Sequence, residues 1–291
     1  MHTAFIGLGV MGYPMAGHLA RNGHDVVVFN RTNDRAVRWV GEYGGGRAAS
    51  PAEAARGAEL VMACVGRDDD LRAITLSETG AFSTMRPGSV FVDHTTASAS
   101  VARELARTAS QKGIGYVDAP VSGGEQGAQK GQLTIMCGGS ERDYAEAEPV
   151  ISTYAKQCRR MGPVGAGQLT KMVNQICLAG LIESLAEGLN FARAAGLDPQ
   201  AVVDVISKGA AQSWQMDNRH RTMLAGHYEH GFAVEWMRKD LSICLAEAQR
   251  NGTSLPVVEL VDSFYGEIEA MGGKRWDTSS LFARLEVIRK G

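Results

Sequence analysis

A lysine and an asparagine stand three residues apart in a stretch whose spacing predicts a helix. Lys171 and Asn174 fall in the first turns of an apolar pattern that runs over residues 167–195. Residues three apart share one face of a helix, and burial on an apolar face favours the neutral amine that proton transfer needs. The pair predicts proton transfer in a cleft between two domains. A lysine that reaches solvent along its aliphatic stem is the alternative.

A glycine-rich turn near the start of the chain separates a strand pattern from a helix pattern. Its residues are Gly7, Leu8, Gly9, Val10, Met11 and Gly12. Glycine at the first, third and sixth positions permits a tight turn and close approach of a pyrophosphate, which the N-terminus of the following helix attracts. In this strand, GxGxxG and helix context the motif predicts dinucleotide binding, and a plain turn is the alternative.

The end of the second predicted strand bears on the choice of cofactor. The run DVVVF leads into Asn30, Arg31 and Thr32, without the acid that an NAD-specific site offers to the ribose 2′-hydroxyl. Arg31 can pair with a 2′-phosphate, and Asn30 and Thr32 can add neutral hydrogen bonds. The sequence predicts that NADP(H) is preferred and that NAD(H) is possible, unless Arg31 is only a solvated loop residue.

A third segment, residues 118–124, follows a strand where open α/β sheets bind ligands. Ser122, Gly123 and Gly124 would present a hydroxyl and accessible N–H groups, which suit a carboxylate. An ordinary flexible loop has the same composition.

The elements that must position these residues change in character along the chain. Through about residue 160, β-rich runs alternate with helical patterns, the last of them over 141–155. We expect an N-terminal Rossmann-type, doubly wound, mostly parallel sheet over residues 1–162. An all-α domain for substrate binding and oligomerisation is expected over 163–291, including an interdomain helix over 167–195. The cap, proline and glutamate at residues 50–53 predict a helix start, and Asp277 is expected to cap the last helix.

Composition limits the partners and the compartment. Hydrophobic residues make up 44% and charged residues 21%, with a formal net charge of -2, which is typical of a globular cytoplasmic protein. Scattered basic clusters disfavour nucleic acid as a partner, and no run approaches the ~20 apolar residues of a spanning helix. Five cysteines without a CxxC indicate neither disulfides nor a metal site. Long apolar helix faces predict a homodimer or homotetramer.

Four blocks together resemble the β-hydroxyacid dehydrogenase family over essentially the whole chain: residues 7–19, 118–139, 162–175 and 239–241. The resemblance implies hydride transfer between a nicotinamide and a small hydroxy acid or semialdehyde. It implies that Lys171 is the general acid/base and that Asn174, Ser122, Gly123 and Gly124 bind substrate. Residues that look like cofactor contacts are Val65, Thr96 and Lys239. Residues that look like pocket residues are Phe232 and Asp240.

Other functions stay open at this point. Imine reductases look similar over the same blocks but lack a lysine matching Lys171, as do non-catalytic dinucleotide-binding modules of this fold. 6-Phosphogluconate dehydrogenase is far longer and carries extra basic residues. His94 stands where relatives usually have a small hydroxyl residue, and the stretch over 209–230 matches no substrate subgroup. The identity of the substrate is therefore not predicted.

Overall fold

The computed structural model describes residues 1–290, with side chains described up to residue 287. The chain divides into two compact units, Met1–Lys171 and Met172–Gly291, with the division inside one long helix. The domain limits at 1–162 and 163–291 stay a prediction.

The first unit is built on a mostly parallel sheet, as predicted. Its strands are β1 His2–Ile6, β2 Asp25–Phe29, β3 Gly46–Arg47, β4 Leu60–Ala63, β5 Val90–Asp93, β6 Gly115–Asp118, β7 Val121–Ser122, β8 Leu133–Gly138 and β9 Ala155–Gly162. The helices that begin in this unit are α1 Gly12–Arg21, α2 Asn33–Tyr43, α3 Pro51–Ala55, α4 Asp68–Leu76, α5 Ala99–Gln111, α6 Gly124–Lys130, α7 Glu141–Ile151 and α8 Ala166–Ala194. The strand order β3-β2-β1-β4-β5-β6 is parallel throughout and is the order of dinucleotide-binding folds.

Both faces of the central strands are buried, which explains why the strands read as continuous apolar runs. Along β1, Phe5 packs into one core cluster, whereas Ala4 and Ile6 pack into the other. Strand β4 alternates in the same way, with Met62 in the first cluster and Val61 in the second. This alternation places helices on both faces of the sheet and leaves the carboxyl ends of the strands to the loops.

The far end of the sheet departs from the predicted elements. Strand β8 runs antiparallel to β6 and β7, and β9 pairs with β8 in parallel. The helix predicted over 141–155 is wrong at its C-terminal end. Helix α7 ends at Ile151, a 3-10 turn covers Ser152–Tyr154, and β9 follows. Because most side chains of β9 are polar and partly or fully exposed, the strand carries no hydrophobic alternation that reveals it.

The predicted helix start at residues 50–53 is confirmed in atomic detail. Ser50 Oγ accepts a hydrogen bond from Glu53 N at 3.1 Å, and Glu53 Oε2 accepts one from Ala49 N at 2.7 Å. With Pro51 in the first turn, α3 therefore begins with a side-chain cap at Ser50, and Glu53 bonds back to the residue that precedes the cap.

The second unit is helical, as predicted. It contains the remainder of α8, followed by α9 Pro199–Ile206, α10 Trp214–Leu224, α11 Val234–Asn251, α12 Pro256–Ala270 and α13 Leu281–Lys290. The core combines apolar side chains from α8, α11, α12 and α13, including Ile182, Met237, Tyr265 and Phe282. Among residues 1–290, none of the helices has the combined length and apolar character that crossing a membrane requires.

A buried aspartate fixes the segments before α11 and α13. Asp277 accepts hydrogen bonds from Ser279 N at 3.0 Å, Phe232 N at 2.9 Å and Arg219 Nε at 3.1 Å. It therefore caps the 3-10 turn Thr278–Ser280, which runs directly into α13, rather than α13 itself. The same carboxylate sets the backbone position of Phe232, one of the predicted pocket residues.

Candidate active site

The turn between β1 and α1 fits a dinucleotide pyrophosphate. Gly7 has a φ of +96°, and a Cβ there would lie 2.3 Å from the carbonyl oxygen of Cys64. A Cβ at Gly12 would lie 1.9 Å from the Gly7 oxygen, whereas one at Gly9 would meet nothing within 4 Å. Helix α1 begins without a side-chain cap at Met11 and without an acid in its first turn. The turn is therefore tight at its ends and open at Gly9, beside an N-terminus that favours an anion.

Both the oxygen and the nitrogen of the Asn30 side-chain amide form hydrogen bonds that hold this turn. Its Oδ1 accepts from Leu8 N at 2.8 Å, and its Nδ2 donates to Thr32 O at 2.9 Å. Arg35 adds a bond from Nη1 to the Leu8 carbonyl oxygen at 3.2 Å. The side chain of Asn30 thus shapes the loop around Leu8.

Arg31 is the exposed cation at the end of β2. Its side chain is 91% exposed, and its Nη1 lies 3.5 Å from Asp70 Oδ1 in the first turn of α4. Because the guanidinium is almost fully exposed and the contact is long, the protein holds the Arg31 side chain only weakly. Asp70 was not singled out from the sequence, because nothing local indicates that the turn after β4 reaches the end of β2.

A hydrogen bond joins the loop after β4 to the loop after β5, next to the glycine turn. Val65 N donates to Thr95 Oγ1 at 3.0 Å, and Thr95 N donates to Asp93 Oδ1 at 2.9 Å. A Cβ on Gly7 would lie 3.1 Å from Val65 Cγ1. The structure therefore brings Val65 and the turn around Thr96 to the carboxyl ends of β1, β4 and β5, where open α/β sheets bind ligands.

The serine and glycine segment lies at the start of a short helix. Ser122 ends β7, opposite Thr134 of β8, and is partly buried. Gly123 and Gly124 follow with φ values of +129° and +60°, and α6 begins at Gly124. A side chain on either glycine would be strained, because L-residues rarely adopt this backbone conformation. The segment therefore turns its backbone sharply beside the Ser122 hydroxyl.

Helix α8 begins against a buried carboxylate. Asp118 Oδ1 accepts from Gly165 N at 2.7 Å, and Oδ2 accepts from Gln168 N at 2.9 Å. The side chain of Gln168, itself fully buried, accepts from Ala97 N at 3.1 Å and donates to Thr95 O at 2.7 Å. Neither residue was assigned a role from the sequence. A buried acid at the last position of a strand was the available signal for Asp118.

Lys171 lies in the second turn of α8 and is 8% exposed. This burial is notable because lysine is rarely buried to this extent in a folded protein. The alternative in which Lys171 reaches bulk solvent along its aliphatic stem is therefore not the arrangement observed.

Three predicted residues of the second unit are joined by one that was not predicted. Gln175 Oε1 accepts from Asn174 Nδ2 at 2.8 Å, and Gln175 Nε2 donates to Asp240 Oδ2 at 2.7 Å. Lys239 Nζ lies 3.0 Å from Asp240 Oδ1. Asn174, Asp240 and Lys239 thus belong to one polar chain through the buried amide of Gln175. The sequence did not indicate this link, because Gln175 and Asp240 are 65 residues apart in the chain.

His94 is a neutral structural residue. Its Nδ1 lies 2.7 Å from the Ala119 carbonyl oxygen and its Nε2 lies 2.8 Å from Tyr154 Oη. Because a carbonyl only accepts, Nδ1 carries the proton and Nε2 accepts from the tyrosine. Burial lowers the pKa of His94 to about 4. The side chain joins β5 to the turn after β6, where a small hydroxyl residue would reach neither partner.

Two buried carboxyls lie on neighbouring strands at this edge. Asp93 and Asp118 are register partners on β5 and β6, and burial raises the pKa of each to about 7. Backbone N–H groups of Thr95, Gly165 and Gln168 oppose this rise by bonding to the carboxylates. Among residues 1–290, no three side chains of His, Cys, Asp or Glu converge as a metal site.

The strand order, the glycine turn and the loops at the carboxyl edge define a dinucleotide-binding protein. Comparisons with known proteins agree. Residues 2–162 match the family described as the NAD binding domain of 6-phosphogluconate dehydrogenase. Residues 165–285 match the family described as NAD-binding of NADP-dependent 3-hydroxyisobutyrate dehydrogenase.

Relatives match the chain from end to end. An uncharacterized oxidoreductase of Shewanella frigidimarina is 59% identical over 99% of both chains. The 2-hydroxy-3-oxopropionate reductase of Escherichia coli is 31% identical over 99% of this chain and 98% of its own. A solved 3-hydroxyisobutyrate dehydrogenase of Mycobacterium tuberculosis, with L-serine, is 28% identical with a TM-score of 0.87 over 99% of both chains. The chain therefore belongs to the 3-hydroxyisobutyrate dehydrogenase, or β-hydroxyacid dehydrogenase, family and is an NAD(P)-dependent oxidoreductase.

The neutral state of His94 predicts a pH dependence of stability. The unfolded chain binds a proton at His94 below about pH 6.5, whereas the folded protein does so only near pH 4. His94 therefore stabilises the fold fully above pH 6.5 and loses about 3 kcal/mol of that contribution as the pH falls to 4. Denaturant unfolding of wild type and His94→Gln at pH 7 and pH 4.5 measures this change.

The two proteins must be compared because the raised pKa values of Asp93 and Asp118 act oppositely and favour the fold as pH falls. The stability advantage of wild type over His94→Gln should shrink by about 2 kcal/mol between pH 7 and 4.5. Parallel pH curves for the two proteins would contradict a neutral buried imidazole.

Proposed function

We propose that this protein is an NADP-preferring oxidoreductase that transfers a hydride between nicotinamide and a small hydroxy acid or semialdehyde, with Lys171 as general acid/base. The observation that carries the proposal is the burial of Lys171, 8% exposed, close to the anchored start of α8. A buried amine is the group expected to exchange a proton with a substrate oxygen.

A nicotinamide cofactor held at the glycine turn would supply the hydride for a carbonyl carbon, or would take one from a carbinol carbon. Lys171 Nζ gives a proton to the carbonyl oxygen during reduction and takes the hydroxyl proton during oxidation. As an ammonium it also stabilises negative charge that grows on that oxygen only toward the transition state.

The remaining predicted residues divide between substrate and cofactor. Ser122, Gly123 and Gly124 bind the carboxylate end of the substrate through a hydroxyl and backbone N–H groups. Asn174 binds the substrate, and Phe232 and Asp240 line its pocket. The names of the relatives, a hydroxy acid dehydrogenase and a reductase of 2-hydroxy-3-oxopropionate, support this substrate class.

The cofactor residues are those of the glycine turn, with Val65, Thr96 and Lys239 as further contacts. Arg31 binds the 2′-phosphate of NADP, and Thr32 adds a hydrogen bond. Support comes from the absence of an acid at the end of β2 and from the exposure of the Arg31 guanidinium. Asn30 contributes by holding the turn, since both ends of its amide are bonded within the protein.

The protein is proposed to form a homodimer or homotetramer. Large apolar side chains are exposed on α8 and α12 of the second unit, among them Phe191 at 73%, Val173 at 60% and Val257 at 57%. Such exposure is typical of a surface that another subunit covers. Light scattering at micromolar concentration should give twice or four times the 31.1 kDa chain mass, and a monomer would reject the proposal.

The role of Lys171 is tested by substitution. Small semialdehydes, hydroxy acids and a cyclic imine are first assayed with NADPH or NADP⁺ by nicotinamide absorbance. With the best substrate, Lys171→Ala should lower kcat by about 10²- to 10⁴-fold, because general acid/base catalysis contributes that much. Lys171→Arg should also be impaired, since arginine keeps the charge but does not give up its proton.

Lys156 of β9 is exposed and provides the matched control, so Lys156→Ala should turn over as wild type does. NADPH affinity of each variant, read by fluorescence, should change by less than about threefold. Full turnover by folded Lys171→Ala, or activity confined to the imine, would reject the proposed function.

Cofactor preference is tested at the ion pair of Arg31 with Asp70. Arg31→Ala should raise the KM for NADP⁺ by tenfold or more, because a charge-assisted bond to phosphate contributes about 1.5–3 kcal/mol, and should leave the KM for NAD⁺ nearly unchanged. Asp70→Asn should lower the KM for NADP⁺ by about two- to fivefold, since it removes a competing negative charge.

Asp69→Asn is the matched control, because Asp69 pairs with Arg72 at 3.1 Å instead of with Arg31. It should leave both KM values as in wild type. Equal effects of Arg31→Ala on NADP⁺ and NAD⁺ would remove the argument for NADP preference.

A further inference from the structure

The side-chain amide of Gln168 forms two hydrogen bonds to the backbone of the turn at the carboxyl end of β5. Oε1 accepts from Ala97 N at 3.1 Å, and Nε2 donates to Thr95 O at 2.7 Å. The two bonded residues flank Thr96. Because Gln168 is fully buried, neither bond competes with water, and the amide clamps the Thr95–Ala97 turn to the start of α8.

The clamped turn is itself part of the carboxyl edge of the sheet. Thr95 N is held by Asp93 Oδ1 at 2.9 Å, and Thr95 Oγ1 accepts from Val65 N at 3.0 Å. A continuous set of hydrogen bonds therefore runs from the loop after β4, through the turn after β5, to Gln168. The loop at Val65 in turn borders Gly7 of the glycine turn.

The backbone of Gln168 is fixed as firmly as its side chain. Its N–H donates to Asp118 Oδ2 at 2.9 Å, and Gly165 N donates to Oδ1 at 2.7 Å. A Cβ on Gly167 would lie 2.4 Å from Met136 O, so the helix also contacts β8 closely. Lys171 follows Gln168 by three residues, roughly 4.5 Å along the axis and on the same side of the helix.

We propose that Gln168 is a positioning residue that sets the location of the Lys171 amine relative to the Thr95–Ala97 turn. This inference rests on the proposed function, in which Lys171 transfers the proton and Thr96 contacts the cofactor. Gln168 is bonded to the turn through its side chain and to Lys171 through one helical turn of backbone. It therefore acts through the lysine, without contacting substrate.

The test compares two variants in which a side chain no longer forms hydrogen bonds to the backbone of another element. Gln168→Met keeps the side-chain length and removes both bonds. Thr84→Val removes the bond from Thr84 Oγ1 to Ala52 O, 2.5 Å, which belongs to the contacts of α3. Each is purified as the full chain and assayed with the best substrate of the wild type, and NADPH affinity is read by fluorescence.

Gln168→Met should lower kcat by about ten- to a hundredfold, because a misplacement of about 1 Å in reacting groups has an effect of that order. The KM for substrate and the dissociation constant of NADPH should change by less than about fivefold. Thr84→Val should keep kcat within twofold of wild type. A kcat of Gln168→Met within twofold of wild type, or an equal loss in Thr84→Val, would overturn the inference.

A double-mutant cycle separates positioning from a general structural role. If Gln168 acts through Lys171, adding Gln168→Met to Lys171→Ala should lower the residual rate by less than about twofold. A full multiplicative loss in the double variant would mean that Gln168 acts elsewhere and would overturn the inference. Full turnover by Lys171→Ala alone rejects the proposed function, whereas an inactive Lys171→Ala beside an unimpaired Gln168→Met rejects only the role of Gln168.

If Gln168→Met does not fold, Gln168→Glu takes its place. The carboxyl group keeps the acceptor for Ala97 N and donates to Thr95 O only while it is protonated. Its kcat should therefore fall with rising pH beyond the wild-type profile. A pH profile and kcat equal to wild type from pH 6 to 9 would overturn the inference.

Discussion

The bonds between the Asp118 carboxylate and the first turn of α8 are the constraint on which the first unit depends. Both oxygens accept backbone N–H groups that the helix cannot satisfy internally, those of Gly165 and Gln168. Two close backbone approaches accompany them, because Cβ atoms on Gly138 and Gly167 would fall 2.8 Å and 2.4 Å from backbone atoms across the contact. The helix therefore begins at one place on the sheet and in one orientation.

The fixed start of α8 matters because the loops that follow parallel strands all lie at one edge of the sheet. The turns after β1, β4 and β5 meet there, and Asn30, Val65 and Thr95 hold them with side-chain or backbone hydrogen bonds. Because Asp118 ends β6, the start of α8 belongs to the same edge as the glycine turn. The start of the helix that carries Lys171 and the glycine turn are thus both positioned by one set of strand ends.

In the second unit, buried side-chain amides and charged groups also hold helices in place by bonding to one another. Gln175 links Asn174 with Asp240, and Lys239 neighbours the same carboxylate. Asp277 fixes the segment just before α11 through the backbone of Phe232. These bonds pair the buried Gln175 amide and the buried Asp277 carboxylate, since a buried polar group without a partner is costly.

The parts of the fold that have a local cause were predictable from the sequence. Glycine spacing, the strand and helix alternation, and the side-chain cap at Ser50 each act over a few residues, and the structure contains them. Strand β9 was missed because its side chains are mostly polar. The roles of Gln168 and Gln175 were missed for another reason. Their partners lie 65 to 73 residues away in sequence, and a glutamine has no periodicity that reveals a partner so distant.

The capped start of α8 also bears on how the chain tolerates changes in length. Each residue of an α-helix turns the next by about 100°. Deleting one residue between Gly165 and Lys171 would therefore swing the lysine about 100° around the axis while Asp118 kept the helix end in place. The six-residue interval from the cap at Gly165 to Lys171 therefore fixes the side of the helix on which the lysine lies.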